Sequence, residues 1–440
     1  MTQRDEDLVD DVGPAETAVA AAATIPAQGG GRPASLWRHR DFMLLWGGQT
    51  VSDVGSAVTI LALPLLAVSV LKATTFEVSL ISILTSLAFL LISLPAGVIV
   101  DQVRKHGLMM WCDVARMALL GSIPLAGWFW HVTLWQIYVV ATLAGILSVF
   151  FDVSYQSYVP VLLDGGQLVD ANGKLGATNS FAGLVGPSIG GALVGFIGAA
   201  KAIAADAGSF AASAISLFLI RTHEPKPEKR AEHVTFRAAM NEGLSFVVKH
   251  PILRKVVACT GTANFFSSGV GAVDVVFLVR GLHASPSVVG ALFSLAAIGG
   301  VLGGLLAGRL GRWIGTARII WVSTLLPCPL LLLMPLARPG WGVLLFAAGL
   351  FGQYFFAVVY NTAQVSYRQR ICPPQLLGRM NASVRWIVWG TMPLGALFGG
   401  ALGTWIGVRQ TIAVCAVGGI TAGLWVFFSP LRHLRDVPDN

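Results

Sequence analysis

The chain has 440 residues, 55% of them hydrophobic and only 12% charged, with a mean hydropathy of +0.71. That balance excludes a water-soluble globular protein and makes lipid the main solvent. The net charge of +8 comes from single Lys and Arg residues scattered through short loops, which form no stripe able to grip nucleic acid.

In chain order, residues 1–36 open with an acidic run (Asp5, Glu6, Asp7, Asp10, Asp11) and pass through an Ala-rich stretch to Pro33. They carry no signal-peptide pattern and read as a disordered cytoplasmic tail. Apolar stretches near the ~20 residues needed to cross hydrocarbon follow. They are 42–66, 78–100, 108–128, 134–159, 176–198 and 203–220, then 256–279, 288–306, 319–336, 342–365, 380–405 and 411–428. The expectation is an all-α membrane protein of twelve spans. It divides into a tail (1–36), a six-helix bundle (37–221), a linker (222–255), a second six-helix bundle (256–430) and a short tail (431–440).

Assigning the loops alternately leaves only Lys72, Lys201, Arg280, Arg338 and Arg409, of 30 Lys and Arg, on one side. The positive-inside rule then places both termini in the cytoplasm. The linker carries an amphipathic pattern, with Phe236, Met240, Leu244 and Val247 on one helical face. It reads either as a helix lying on the membrane surface or as a solvated connector.

Internal symmetry supports two like-oriented halves. Gly97-Val-Ile-Val-Asp101-Gln-Val-Arg104-Lys105 ends span two, and Gly304-Leu-Leu-Ala-Gly308-Arg-Leu-Gly-Arg312 ends span eight, 207 residues later. Gly186-Pro187-Ser-Ile-Gly190-Gly191-Ala-Leu in span five matches Gly395-Ala-Leu-Phe-Gly399-Gly400-Ala-Leu in span eleven, 209 residues later. Such repeats place a binding site at their interface, near the midplane.

The loop Gly97-x-x-x-Asp101 with Arg104 and Lys105 resembles the signature loop of the major facilitator superfamily of transporters. Gln102 stands where that family usually has a basic residue. The resemblance implies the major facilitator fold, two pseudo-symmetric six-helix bundles that move by alternating access. It also implies that Gly97, Asp101, Arg104 and Lys105 form an interdomain latch. Asp113 and Arg116, one turn apart, either extend that latch or pair locally. Gly186, Pro187, Gly190 and Gly191 resemble the motif of the superfamily's antiporter branch, with Ala182 and Gly183 displacing its usual leading Gly. Residues 168–191 and 377–407 resemble the subgroup containing bacterial macrolide-efflux and enterobactin-export proteins. Export of a small, partly apolar molecule with protons as the coupling ion is what these resemblances imply, by a monomer in the bacterial inner membrane. Uptake by symport, facilitated diffusion and a receptor or scaffold role stand as alternatives.

Ionisable groups inside hydrocarbon are expensive and are candidates for function. Asp53 lies near the middle of span one, a turn from Gln49, and is the leading proton-exchange candidate. Asp274 follows it, while Asp152 and Asp206 lie nearer predicted span ends. If spans one, four, seven and ten line a cavity, its polar candidates are Gln49, Tyr155, Gln156, Asn264, Gln353, Tyr360, Asn361 and Gln364. No phosphate-binding loop is present, and the eight histidines and five cysteines fall at no catalytic or metal-ligand spacing. No enzyme activity, cofactor or metal is expected.

Overall fold

The computed structural model describes residues 36–163, 167–222, 224, 236–372 and 376–436, and all regular structure among them is helical. The first half holds span one (Arg40–Ser69), span two (Thr75–Gln102), span three (Lys105–Phe129), span four (Leu134–Leu162), span five (Leu168–Ile197) and span six (Ala199–Phe218). The second half holds span seven (Leu253–Gly271, continued by Asp274–Val276 and Phe277–Gly281), span eight (Pro286–Ile314) and span nine (Arg318–Leu325, Cys328–Leu331, Met334–Leu336). Span ten (Val343–Ile371), span eleven (Leu377–Trp405) and span twelve (Val408–Phe427) complete it.

Eleven of these segments are long and apolar enough to cross a bilayer, against the twelve predicted. Span six is the one left out, because Lys201, Asp206 and its serines lower its apolarity. It nonetheless lies lengthwise along span one, where Gly48 meets Ser216 and Gly55 meets Ser209. Those glycines let the two backbones approach to a distance no side chain would permit.

Local chemistry sets the ends of several spans. Thr74 and Glu77 form a reciprocal capping box at the start of span two, with the Thr74 N–H donating to Glu77 Oε2 at 2.7 Å. Gly198 (φ +86°) ends span five and Gly407 (φ +94°) ends span eleven, again 209 residues apart. Each makes a one-residue corner in a left-handed conformation that suits glycine.

Both described chain ends lie on one face, called here the terminal face, and the opposite face is the distal face. Exposed Trp37, Trp111 and Trp313 ring the terminal face. Trp128, Trp130, Trp135, Trp341 and Trp405 ring the distal one. Two such aromatic belts mark the two membrane–water boundaries.

The halves meet through spans five and eight and through spans two and eleven. Many of the contacts lie toward the distal face. Gly191 packs against the backbone of Pro286 and Gly290, and Gly195 against Ser287. Gly400 packs against Ser79, and Gly403 against Thr75. Hydrogen bonds reinforce the seam: the Ser79 hydroxyl donates to the Ala272 carbonyl at 3.1 Å, Arg280 Nη2 to the Ala73 carbonyl at 2.6 Å, and the Ser188 hydroxyl to Ser294 Oγ at 2.7 Å.

On the terminal face each half closes with an acid that follows its last span. Glu224 accepts from the backbone N–H groups of Lys105 (2.9 Å) and His106 (3.0 Å), capping span three. Asp436 accepts from the Thr316 N–H at 2.9 Å, at the entry to span nine. That backbone hydrogen bond holds the Asp436 carboxyl below the usual carboxylate range. The linker helix Phe236–Lys249 packs on span eleven, with Val247 buried among Val257, Met380, Val384 and Val388. Its C-terminal end is thus docked on protein, whereas Leu244 is exposed. The side chains of Phe236 and Met240 and the tail predicted over residues 1–35 lie outside the described residues.

Candidate functional site in two communicating chambers

The first half gathers charge at mid-depth. Arg116 sits halfway along span three, ion-paired with Asp113 one turn earlier. Its guanidinium lies between the rings of Phe151 (4.5 Å) and Phe210 (4.3 Å), and Nη1 reaches Ser148 Oγ at 3.4 Å. Two aromatic faces and a carboxylate replace the water that the cation has lost. Asp206 accepts from the Ser209 hydroxyl at 2.9 Å, and Asp53 accepts from Gln49 Nε2 at 2.6 Å. Asp206 lies near the middle of span six, because that helix begins at Ala199, earlier than predicted. Asp152 lies well inside span four, because that helix runs on to Leu162, and its side chain is exposed. Both were expected nearer span ends, so the structure corrects their depth.

Two chambers lie in the interior, and this layer borders the first. The one in the first half, about 820 Å³, is lined by spans one, two, three, four and six and includes Thr59, Arg116, Ser148 and Asp206. The one in the second half, about 660 Å³, is lined by spans seven, nine, ten, eleven and twelve. Asn264 and Trp389 line both, so the chambers meet there. Trp389 packs against Phe89 of the first half, with ring centroids 4.6 Å apart.

Five of the eight predicted cavity residues line the second chamber: Asn264, Gln353, Tyr360, Asn361 and Gln364. Their hydrogen bonds hold them in place. Gln353 Nε2 donates to Ser267 Oγ (2.7 Å), Gln364 Nε2 to Asn361 Oδ1 (2.8 Å) and Asn264 Nδ2 to the Val388 carbonyl (3.3 Å). The Tyr360 and Thr260 hydroxyls share a 2.7 Å bond. Gln49 instead serves Asp53. Tyr155 stacks on Phe151, and Gln156 is exposed in the terminal half of span four.

The described side chains of the predicted latch residues lie in separate surroundings. Lys105 lies beside Glu224, with Nζ 3.8 Å from its carboxylate, and Arg104 precedes the first turn of span three. Gly97 has open space around its Cα, and the side chain of Asp101 lies outside the described residues. Asp113 and Arg116 are buried within the first half, so the local pairing is the one formed. Asp274 is buried where span seven breaks, accepting from the Val275 N–H at 2.6 Å, beside the distal seam. The glycine motif faces two ways: Gly186 and Gly190 pack on Ala57 and Val58 of span one, and Gly191 packs on span eight.

Sequence reasoning missed Arg385, Arg368, Trp389 and Glu224. Arg385 and Trp389 are one turn apart in span eleven, and the guanidinium lies 4.1 Å from the indole centroid. That i, i+4 spacing was a usable signal.

A family model of the major facilitator type, described as "Transmembrane secretion effector", matches residues 33–439. The multidrug efflux pump Tap of Mycolicibacterium fortuitum is 23% identical over 404 residues, covering 89% of this chain and 96% of the pump. The enterobactin exporter EntS of Salmonella choleraesuis is 23% identical over 417 residues, covering 92% of this chain and 96% of the exporter. Among solved structures, a bacterial homolog of the human lysosomal transporter Spinster, inward-facing and unoccupied, matches with a TM-score of 0.70 at 14% identity, over 89% of this chain and 96% of its own. An inward-facing bacterial homologue of the iron transporter ferroportin matches at 0.69 and 14% identity, over 88% and 98%. These two likenesses concern the fold. With the family match spanning nearly the whole chain, this protein belongs to the transmembrane secretion effector family of major facilitator transporters.

Proposed function

We propose that this transporter exports a small, partly apolar molecule by alternating access, with protons moving the other way. The observation that carries the reading is the pair of chambers meeting at Asn264 and Trp389, beneath a seam that joins the halves toward the distal face. Cargo enters from the terminal face, which is cytoplasmic in this reading, and leaves when the halves rock apart at the glycine contacts. The likeness to the efflux pump Tap and the exporter EntS favours export over uptake. Asp53 is the proton-exchange group: it is half-buried at mid-depth and held by a single side-chain donor, Gln49. Asp113 by contrast already has its partner in Arg116. The working unit is a monomer in the inner membrane.

Inside-out vesicles test the reading. Energised vesicles should accumulate cargo and release protons as they do so, whereas accumulation by intact cells would reverse the direction. Asp53→Asn should abolish the pH dependence of transport while leaving membrane insertion and cargo binding intact. An Asp53→Asn protein with native pH dependence removes Asp53 from the mechanism. A deletion strain that extrudes every tested compound as well as its parent would favour the receptor or scaffold alternative.

A further inference from the structure

The second chamber carries positive charge that nothing among the described residues neutralises by contact. Arg368 and Arg385 both line it, and no carboxylate does. Among the described residues neither guanidinium has a hydrogen-bonded or ion-paired partner. Arg385 is exposed to the chamber and rests on Trp389, with Phe89 of the first half 6.0 Å away. Stacking of this kind satisfies the face of a guanidinium and leaves its five N–H donors pointing outward in the plane, a geometry suited to a carboxylate. A cation inside the membrane with free donors is costly to keep, which marks it as a binding group. Asp152 acts on Arg385 electrostatically from the first half, without a hydrogen bond between them. Arg385 therefore has a remote counter-charge and an open coordination edge.

We propose that the second chamber recognises an anionic group on its cargo, a carboxylate or comparable oxyanion on an apolar or aromatic body. Arg385 is the primary contact, and Arg368 is a second cation nearer the terminal face. The Asn361 and Gln364 amides accept and donate to neutral polar groups, and Phe266 and Phe356 cover the apolar part. This assignment deepens the export reading and rests on it for the direction of movement only.

The test uses the full chain in lipid nanodiscs and matched probes: indole-3-acetate against indole-3-acetamide, 2-naphthoate against 2-naphthamide, and carboxyfluorescein against rhodamine 6G. Thermal unfolding is read with a thiol-reactive dye, since all five cysteines are buried. At least one acid should raise the unfolding midpoint where its neutral or cationic counterpart does not. Arg385→Gln should weaken that acid roughly tenfold or more, the loss expected for one charge-assisted hydrogen bond. Arg385→Lys, which keeps charge and loses the planar fork, should fall between. Acids that shift the midpoint no more than their partners overturn the assignment on the unmodified protein alone. An Arg385→Gln variant with native acid response overturns it as well. Inside-out vesicles separate the two readings: an acid that binds but is never accumulated sinks export and leaves anion recognition. Accumulation of rhodamine 6G without acid binding does the reverse.

Discussion

At mid-depth the first half holds Asp113 and Arg116 in span three and Asp206 in span six. The second half, at the positions its own repeat makes equivalent, holds none of them. The caps at Lys105 and Thr316 set an offset of 211, which carries Asp113 onto Thr324 and Arg116 onto Pro327. The corner glycines set an offset of 209, which carries Asp206 onto Cys415. Thr324, Pro327 and Cys415 all line the second chamber. Where the first half packs a paired cation between two rings, span nine breaks into short pieces around Pro327 and leaves room. The repeat thus supplies the scaffold twice, and the substitutions divide labour: ionic layer on one side, hydrogen-bonding chamber on the other. A helix interrupted at membrane depth is tolerated where it lines a cavity, which is where span nine is interrupted.

The largest effect should come from breaking the ionic layer. Arg116→Leu leaves the Asp113 carboxylate buried and uncompensated, and should destabilise the first half by about 3–5 kcal/mol. Pro327→Ala in the second half should cost far less, because it removes no partner. Thermal unfolding of both variants in detergent measures the contrast, and equal losses would erase it.

Next come the seams, which the comparison treats as equivalent. A side chain at Gly191 meets the Pro286 and Gly290 backbone, and one at Gly400 meets Ser79. Leucine at either position should strain the distal contact by about 1–3 kcal/mol and cut transport substantially, while Gly183→Leu, facing open space, should not. Transport rates that fall for only one of the two seam variants would show that the seams are unequal.

The smallest effects lie at the terminal caps. Glu224 is buried and binds two backbone amides, so Glu224→Gln should cost about 1 kcal/mol. Asp436 is exposed, and Asp436→Asn should lower the unfolding midpoint only slightly at neutral pH, less than Glu224→Gln does. Its lowered carboxyl contributes above the ordinary carboxylate range, and that contribution fades as pH falls through the lowered value. A larger loss at Asp436 than at Glu224 would reverse the ranking of the two caps.

Much of the fold was legible because lipid leaves few options. Apolar runs of the right length must be helices, and a repeated Gly-Pro-x-x-Gly-Gly or Gly-x-x-x-Gly-Gly pattern must be a close contact. The site was legible only in part. Asn264, Gln353, Tyr360, Asn361 and Gln364 could be placed because polar side chains in a span have few places to go. Arg385 was overlooked although it lies inside the predicted span 380–405, because an Arg little more than one turn from a span end reads as an interfacial charge until the neighbouring helices show what it faces. Asp206 and Asp152 were ranked low because an error of a few residues in a helix end moves a carboxylate from interface to midplane.

The sequence by itself determined that this chain lives in the membrane as two repeated helical bundles, because hydropathy, charge asymmetry and motif spacing are properties of the chain alone. Tertiary structure alone decided which glycines bridge the halves and which pack within one. It also decided that Asp113 and Arg116 pair inside the first half, and that Arg385 faces a chamber with an aromatic ring behind it. Those outcomes depend on the rotation of one helix against another. A helical period fixes which residues share a face, but only the neighbouring helix fixes what that face meets.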